Sequence, residues 1–228
     1  MNLLAIDTST GACSVAASRG EELFSRSEPA LQRQAEKILD MVEALLAEAR
    51  LELGQIEGIA YGEGPGSFTG LRIAAGVAQG LAFARGLGVV GVGSLLAMVE
   101  QAAEEAAGEK FVACIDAHMG EVYHAAYRKA DSGWTQVSAP GLYRPEDVPV
   151  PAGGDWIGCG DGFAVHRDRL ASRLGSSVSA VRPDAGPSAR AVLKLAIPRF
   201  AAGQAKDAAT ALPVYLRDKV AKTTSERA

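Results

Sequence analysis

The stretch AIDTSTGACSVAA at residues 5–17 returns in altered form as CIDAHMGEVYHAA at residues 114–126. The two copies align an Ile-Asp pair, a glycine and an Ala-Ala pair, at an offset of 109 residues (114 less 5) in a chain of 228. Each copy predicts a strand that ends in an acid, a tight turn at glycine and a second strand. An offset of about half the chain indicates a duplicated domain rather than a short solenoid repeat.

Further strands and helices extend both copies in the same order. The hydrophobic pattern predicts three strands, a helix, a strand and a helix in each half, which is typical of an α/β fold. Each lobe is then a mixed β-sheet flanked by helices that bury it on both faces. We place the first lobe at residues 1–106 and the second at residues 107–228, with residues 208–228 as a candidate for return to the first lobe.

Two helices of the first half matter most for function. Apolar residues at helical spacing predict a helix at residues 30–50 with one apolar face, and a second helix follows at residues 69–85. The later elements predicted are, in order, a helix at 94–107 capped by Ser94, a proline-rich irregular link at 140–151, a helix at 160–174 and a helix at 188–202.

Composition and charge exclude several classes of protein. The net charge is −4 and no basic stretch is present, so tight direct binding of RNA or DNA is not expected. There is no run of about 18 apolar residues that would predict a membrane span, and the first residues predict a strand rather than a signal peptide. The three cysteines are odd in number and far apart, which predicts reduced thiols. We therefore expect a cytoplasmic protein without membrane contact.

The glycine-rich stretch GEGPGSFTGLR at residues 62–72 looks like a phosphate-binding loop, but it lacks the lysine that a P-loop requires. Gly64 and Gly66 allow unusual backbone angles and close approach, and Ser67 or Thr69 can cap the helix that follows. Three interpretations remain open. The stretch is a capped tight turn, a weak phosphate contact at a helix N-terminus, or a rigid turn that presents the helix to a partner.

The helix predicted after this stretch is rich in small residues. Glycine inside a helix costs about 0.5–1 kcal/mol relative to alanine, so its presence needs a reason. Gly76 and Gly80 are four residues apart and share one face, where another backbone could approach closely. One explanation is a helix–helix contact with another subunit; the alternative is tight packing against the chain's own sheet.

Asp7 and Asp116 occupy matching positions in the two copies, at the end of the first strand of each. Two facing acids could bind Mg²⁺ and phosphates or activate water. Alternatively, Asp7 organises its own hairpin turn together with the hydroxyl groups that follow it. The candidate nucleotide or phosphate contacts are Asp7, Thr8, Ser9, Gly66, Ser67 and Asp116.

Other residue types predict neither a nucleophile nor a bound metal. The sequence contains no Gly-x-Ser-x-Gly elbow, and no cysteine stands beside a histidine. His118, His124 and His166 lack the spacing of a metal-binding pair. We therefore predict no catalytic residue and no metal ligand.

Four segments resemble the TsaB (YeaZ) family. The most specific is GEGPGSFTGLRI at residues 62–73, and the others are LLAIDTST at 3–10, IDAHMGEVYHAAY at 115–127 and PVYLRDKVA at 213–221. The resemblance spans nearly the whole chain. It departs from the family pattern at residues 34–36, where Gln-Ala-Glu replaces His-Ser-Glu, and at His118 and His124, where many relatives carry an arginine and an aromatic residue.

The resemblance implies a duplicated actin-like ATPase fold of the ASKHA, ribonuclease H-like type. It also implies a part in forming N6-threonylcarbamoyladenosine on the adenosine 3′ of the anticodon, in tRNAs that read ANN codons. In that family the paralogue TsaD carries out the transfer, so the resemblance implies a non-catalytic scaffold that heterodimerises with TsaD. The alternative is an ATPase or phosphotransferase of the same fold that uses Asp7 and Asp116.

The resemblance further implies where partners bind. The predicted helices 30–50 and 69–85 would meet TsaD, and the ATPase TsaE would join through that pair. Contact with tRNA would be indirect, and the free chain would be either a homodimer or a monomer. No tightly bound cofactor is expected, and ADP or ATP would bind weakly at the interface with TsaD. The predicted interface residues are Thr69, Arg72, Ile73, Gly76, Gln79, Gly80, Phe83, Gln34, Ile38 and Met41.

Overall fold

Two five-stranded β-sheets form the framework of the computed structural model, which describes residues 1–30, 33–131 and 133–217. The first sheet contains β1 (Leu3–Asp7), β2 (Ala12–Arg19), β3 (Glu22–Pro29), β4 (Gly58–Gly64) and β5 (Gly88–Gly93). The second contains β6 (Lys110–Asp116), β7 (Val122–Ala130), β8 (Gly133–Tyr143), β9 (Trp156–Cys159) and β10 (Val178–Arg182).

The two sheets have the same topology. Their strand orders are β3-β2-β1-β4-β5 and β8-β7-β6-β9-β10. In each sheet the first three strands of the chain pair antiparallel, and the next two add in parallel on the other side of the central strand. Asp7 and Asp116 are the last residues of the two equivalent central strands, β1 and β6. The predicted duplicated actin-like α/β fold is therefore confirmed.

Six α-helices flank the sheets in the described part of the chain. They are α1 (Gln34–Glu48), α2 (Phe68–Arg85), α3 (Ser94–Glu105), α4 (Gly162–Val165), α5 (Arg167–Leu174) and α6 (Ala189–Ala201). Helices α1 and α2 share a hydrophobic core with one face of the first sheet, and α6 packs on the opposite face. Helix α3 packs on the second sheet and contacts α6, so these two helices lie between the sheets. The outer face of the second sheet is covered by α4 and α5.

Several predicted elements differ from the observed ones. Strand β10 was not predicted, because its sequence VSAVR is short and mixes polar with apolar residues at an outer sheet position. Strand β8 continues through Pro140, where the sequence predicts an irregular link. Strand β8 is the outermost strand of its sheet, a position where proline is tolerated. The predicted helix at 160–174 is divided at His166. Ser94 is the first residue of α3 rather than its cap, and its buried hydroxyl has no described partner.

The chain returns to the first sheet after α6. Ala208 and Ala211 are buried in the core that α1 and α2 form with that sheet. Residues 31 and 32 of the predicted helix 30–50, and residues 218–228 of the predicted returning segment, lie outside the described residues. The lobe boundary at residue 106 stays a prediction. Among residues 1–30, 33–131 and 133–217, no helix combines the length and the apolar character that a membrane crossing requires.

Candidate functional site

The loop between β4 and α2 packs directly against the end of β1, and its glycines make this contact possible. A Cβ atom on Gly66 would overlap the carbonyl oxygen of Ser9, and one on Gly70 would overlap that of Thr8. A Cβ on Gly62 would overlap a carboxylate oxygen of Asp7. Gly66 and Gly70 are thus required by the chain's own backbone packing, and Gly62 leaves room for the side chain of Asp7.

Hydrogen bonds fix the same contact. The Thr8 hydroxyl donates to the carbonyl oxygen of Gly70 at 2.6 Å, and the Ser67 N–H donates to the carbonyl oxygen of Ser9 at 2.7 Å. Ser67 is the N-cap of α2, because its Oγ accepts from the Gly70 N–H at 3.3 Å. Of the three interpretations of this stretch, the geometry supports the capped tight turn, and presentation of α2 to a partner stays a prediction.

Asp7 is enclosed by this packing. Its carboxylate is 1% exposed and accepts hydrogen bonds from the Ser9 N–H at 3.1 Å and the Ser9 hydroxyl at 2.9 Å. Burial raises the pKa of Asp7 to about 6, and the bonds from Ser9 oppose that rise. Thr8 and Ser9 are buried as well. A phosphate could reach these three residues only after the loop moved, so their role in phosphate binding stays a prediction.

Asp116 has different surroundings from its counterpart in the first lobe. Its carboxylate pairs with His166 Nε2 at 3.0 Å and with His118 Nδ1 at 3.0 Å. The Asp116 N–H donates to Asp161 Oδ1 at 2.9 Å. Among the described residues, Asp7 and Asp116 end equivalent strands of the two sheets, and their joint action on a ligand stays a prediction. Within the same residues, no cluster of three or more His, Cys, Asp or Glu side chains could hold a metal ion.

Helix α2 presents a surface that we call the outer face of α2. It consists of Thr69, Arg72, Ile73, Gly76, Gly80 and Phe83, of which all are exposed except the half-buried Ile73. Phe83 is 77% exposed. Gln79, also predicted for the interface, is half-buried and donates to the carbonyl oxygens of Ala208 and Ala209 at 3.3 Å each. The structure thus brings most of the predicted α2 interface residues together on one surface.

Gly76 and Gly80 differ from the glycines of the preceding loop. A Cβ atom at either position would meet no atom within 4 Å, because both glycines face open space. Tight packing against the chain's own sheet, the alternative explanation for these glycines, does not apply. No contact within the described fold offsets the cost of these glycines, which is about 0.5–1 kcal/mol each relative to alanine.

The predicted interface residues on α1 point inward. Gln34, Ile38 and Met41 are buried, and the two apolar ones belong to the core of the first lobe. They lie on the apolar face that packs on the sheet, whereas Leu39 is 55% exposed and Glu43 is on the surface. A partner that approaches α1 would meet Leu39 and Glu43 instead of these three side chains.

Tyr215 is part of the same region, and sequence reasoning did not name it. Its hydroxyl accepts a hydrogen bond from Arg72 Nε at 2.9 Å, and its ring centroid lies 5.4 Å from that of Phe68. The guanidinium of Arg72 stacks on Phe68, 3.7 Å from the ring centroid. The only signal in the sequence was the segment PVYLRDKVA, which carries Tyr215 but does not indicate what it touches.

Comparison with known proteins gives matches over most of the chain. A family model described as "TsaD: tRNA N6-adenosine threonylcarbamoyltransferase" matches residues 27–225. The protein named tRNA threonylcarbamoyladenosine biosynthesis protein TsaB from Escherichia coli (strain K12) is 37% identical over 228 residues, covering 97% of this chain and 96% of its own. The protein of the same name from Haemophilus influenzae is 35% identical over 229 residues, covering 96% and 95%.

A solved structure described as YeaZ from Pseudomonas aeruginosa superposes with a TM-score of 0.87 at 39% identity, covering 94% of this chain and 99% of that one. These similarities cover nearly the whole chain, including all four segments that resemble the family. Identity of this level over nearly full length places the chain, and the whole of its duplicated fold, in the TsaB (YeaZ) family.

Proposed function

We propose that this protein takes part in the biosynthesis of tRNA threonylcarbamoyladenosine as a non-catalytic subunit, and that it docks the outer face of α2 onto a TsaD-type transferase. The product would be N6-threonylcarbamoyladenosine on the adenosine 3′ of the anticodon in tRNAs that read ANN codons. The printed names of the relatives support the pathway. A TsaE-type ATPase would join the heterodimer, and ADP or ATP would bind weakly at its interface.

The observation that carries this proposal is the open space beside Gly76 and Gly80. The fold does not need glycine at either position, since a Cβ atom would meet nothing. Glycines four residues apart let the backbone of a second helix approach closely. A partner helix is therefore the simplest reason for a helix to keep two residues that weaken it.

The surroundings of Asp7 support a subunit without chemistry of its own. Its carboxylate is enclosed by the loop that starts α2, which does not favour the alternative of a phosphotransferase that uses Asp7 and Asp116.

The charge distribution supports indirect contact with tRNA. Residues 1–106 contain 14 Asp and Glu and 7 Lys and Arg, a net charge of −7, which repels a polyanion.

The test uses Gly76→Leu and Gly80→Leu, with Ala171→Leu on an exposed position of α5 as the matched control. Each variant is titrated with purified TsaD-type partner by calorimetry and then assayed for tRNA modification. We expect a heterodimer about 5-fold to 150-fold weaker for the two glycine variants, because a large side chain between packed helices costs about 1–3 kcal/mol. The control should bind like the wild type. Undisturbed binding by both variants, or tRNA modification by this chain alone, would refute the proposal.

A further inference from the structure

The side chain of Arg72 is held in one place on the outer face of α2. One side of its guanidinium is covered by the Phe68 ring at 3.7 Å, and its Nε donates to the Tyr215 hydroxyl at 2.9 Å. No described residue accepts a hydrogen bond from its two terminal nitrogens, and Arg72 is exposed. These two nitrogens form the edge of the guanidinium that remains available to a ligand.

Tyr215 is itself fixed by neighbours in both lobes. The N–H of the preceding residue, Val214, donates to the carbonyl oxygen of Glu63 at the end of β4, at 2.7 Å. On the other side, Arg217 donates to the carbonyl oxygen of Ala117 at 3.0 Å and pairs with Glu121 at 2.8 Å in the second lobe. The tyrosine hydroxyl therefore sits at a defined position, and Arg72 takes its orientation from it.

A guanidinium with Nε occupied and both terminal nitrogens available matches a carboxylate, which it binds through two parallel hydrogen bonds. Because the Arg72 side chain is already held in place, binding a ligand costs less conformational entropy. The surroundings fit a protein interface, in which arginine and tyrosine often dominate the binding energy.

We propose that Arg72 is the anchor for an Asp or Glu side chain of the partner protein and that Tyr215 is the residue that positions it. The inference rests on the proposed function, because the partner is the transferase that docks on the outer face of α2. It adds the chemistry of one contact: a carboxylate on the partner, seated edge-on against Arg72 and bordered by the rings of Phe68 and Tyr215.

The test is a double-mutant cycle on heterodimer affinity with Arg72→Ala, Tyr215→Phe and the combination of both. Tyr215→Phe keeps the ring and removes only the hydroxyl that orients Arg72. We expect Arg72→Ala to weaken binding at least about tenfold, and Tyr215→Phe to weaken it severalfold in the wild type but not at all beside Arg72→Ala. Arg72→Lys should restore little, since an ammonium cannot form the two parallel bonds.

Arg85→Ala is the matched control on the same helix, because its terminal nitrogens already donate to the carbonyl oxygens of Leu53 and Gly54. Urea unfolding of each variant separates a folding defect from a binding defect. If Gly76→Leu weakens the heterodimer while Arg72→Ala behaves like Arg85→Ala, this inference is overturned and the proposed function stands. If the loss for Arg72→Ala occurs only with nucleotide or tRNA present, the ligand is a phosphate and the inference is likewise overturned. Unchanged affinity for Gly76→Leu, Gly80→Leu and Arg72→Ala together refutes the docking function itself.

Discussion

Thr8 and Gly70 are joined in two ways. The Thr8 hydroxyl donates to the carbonyl oxygen of Gly70 at 2.6 Å, and the carbonyl oxygen of Thr8 occupies the space that a Cβ on Gly70 would need. Thr8 directly follows β1, and Gly70 lies in the first turn of α2. This contact therefore ties the direction of α2 to the central strand of its sheet.

Two alanine substitutions in α2 should change stability in opposite directions. Gly70→Ala is expected to destabilise the protein by about 1–3 kcal/mol, because the new methyl group collides with backbone that cannot move aside cheaply. Gly76→Ala is expected to stabilise it by about 0.5–1 kcal/mol, because the methyl group meets open space and favours the helix. Urea unfolding followed by circular dichroism measures both differences.

Gly80→Ala is the companion variant, since its surroundings are equally open. It should gain stability as Gly76→Ala does, while heterodimer affinity falls for both. A loss of stability for Gly76→Ala and Gly80→Ala would mean that the space beside them is filled by the chain itself. Wild-type stability for Gly70→Ala would mean that a methyl group on residue 70 does not collide with the carbonyl oxygen of Thr8.

The opposite roles of these glycines show what sequence could and could not provide. The repeat was sufficient to predict the duplicated fold, because an acid, a glycine and an alanine pair recur at matching points of a strand pair. The glycines of residues 62–80 look alike in sequence. Gly66 and Gly70 differ from Gly76 and Gly80 only in the atoms that face them in the folded protein. The sequence around each glycine does not show which atoms those are.

The inner and outer faces of α1 show a second limit. Helical spacing predicted an apolar face that includes Ile38, Val42 and Leu45, and these side chains are buried in the core of the first lobe. It also placed Leu39 on that face, where the structure leaves the side chain 55% exposed. The pattern does not say whether such a face meets the chain's own sheet or another protein, because both bury apolar surface in the same way. Exposure decides between them, and in α1 it is Leu39 that remains on the surface.

The capping hydroxyl of Ser67 should stabilise the protein measurably. Ser67→Ala removes the acceptor for the Gly70 N–H and is expected to cost about 1 kcal/mol. Ser188→Ala is the control, because Ser188 caps α6 through the same type of bond, to the Ala191 N–H at 3.2 Å, and its hydroxyl also donates to Gln101 Oε1 at 2.7 Å. Urea unfolding should give a loss for Ser188→Ala at least as large as that for Ser67→Ala, whereas heterodimer affinity should fall only for Ser67→Ala. Equal heterodimer affinities for the two variants would show that the start of α2 does not contribute to docking.

The carboxyl group of Asp7 should make the protein less stable as the pH rises. Its pKa is about 6 in the folded protein and near 4 when unfolded, so below pH 4 both states are protonated and no penalty exists. Between pH 4 and 6 the unfolded state ionises first, which removes roughly 1–3 kcal/mol of stability. Asp7→Asn retains an acceptor for Ser9 and should be more stable than the wild type at pH 8, but equal to it near pH 4. An equal difference at both pH values would show that Asp7 does not titrate in this way.

His124 should produce the opposite slope over the same range of pH. It is fully buried on β7, neither ring nitrogen has a described hydrogen-bond partner, and burial lowers its pKa from 6.5 to about 4. Above pH 6.5 the ring is neutral in both states; as the pH falls towards 4, only the unfolded state takes up the proton, which costs up to roughly 3 kcal/mol of stability. His124→Phe keeps an aromatic ring beside Tyr143 and should abolish this loss.

In unfolding curves at pH 4.5, 6 and 8, Asp7→Asn should then lose stability on acidification, His124→Phe should gain it, and the double variant should change least. A His124→Phe variant that retains the acid-side loss seen in Asp7→Asn would exclude the buried imidazole as its source.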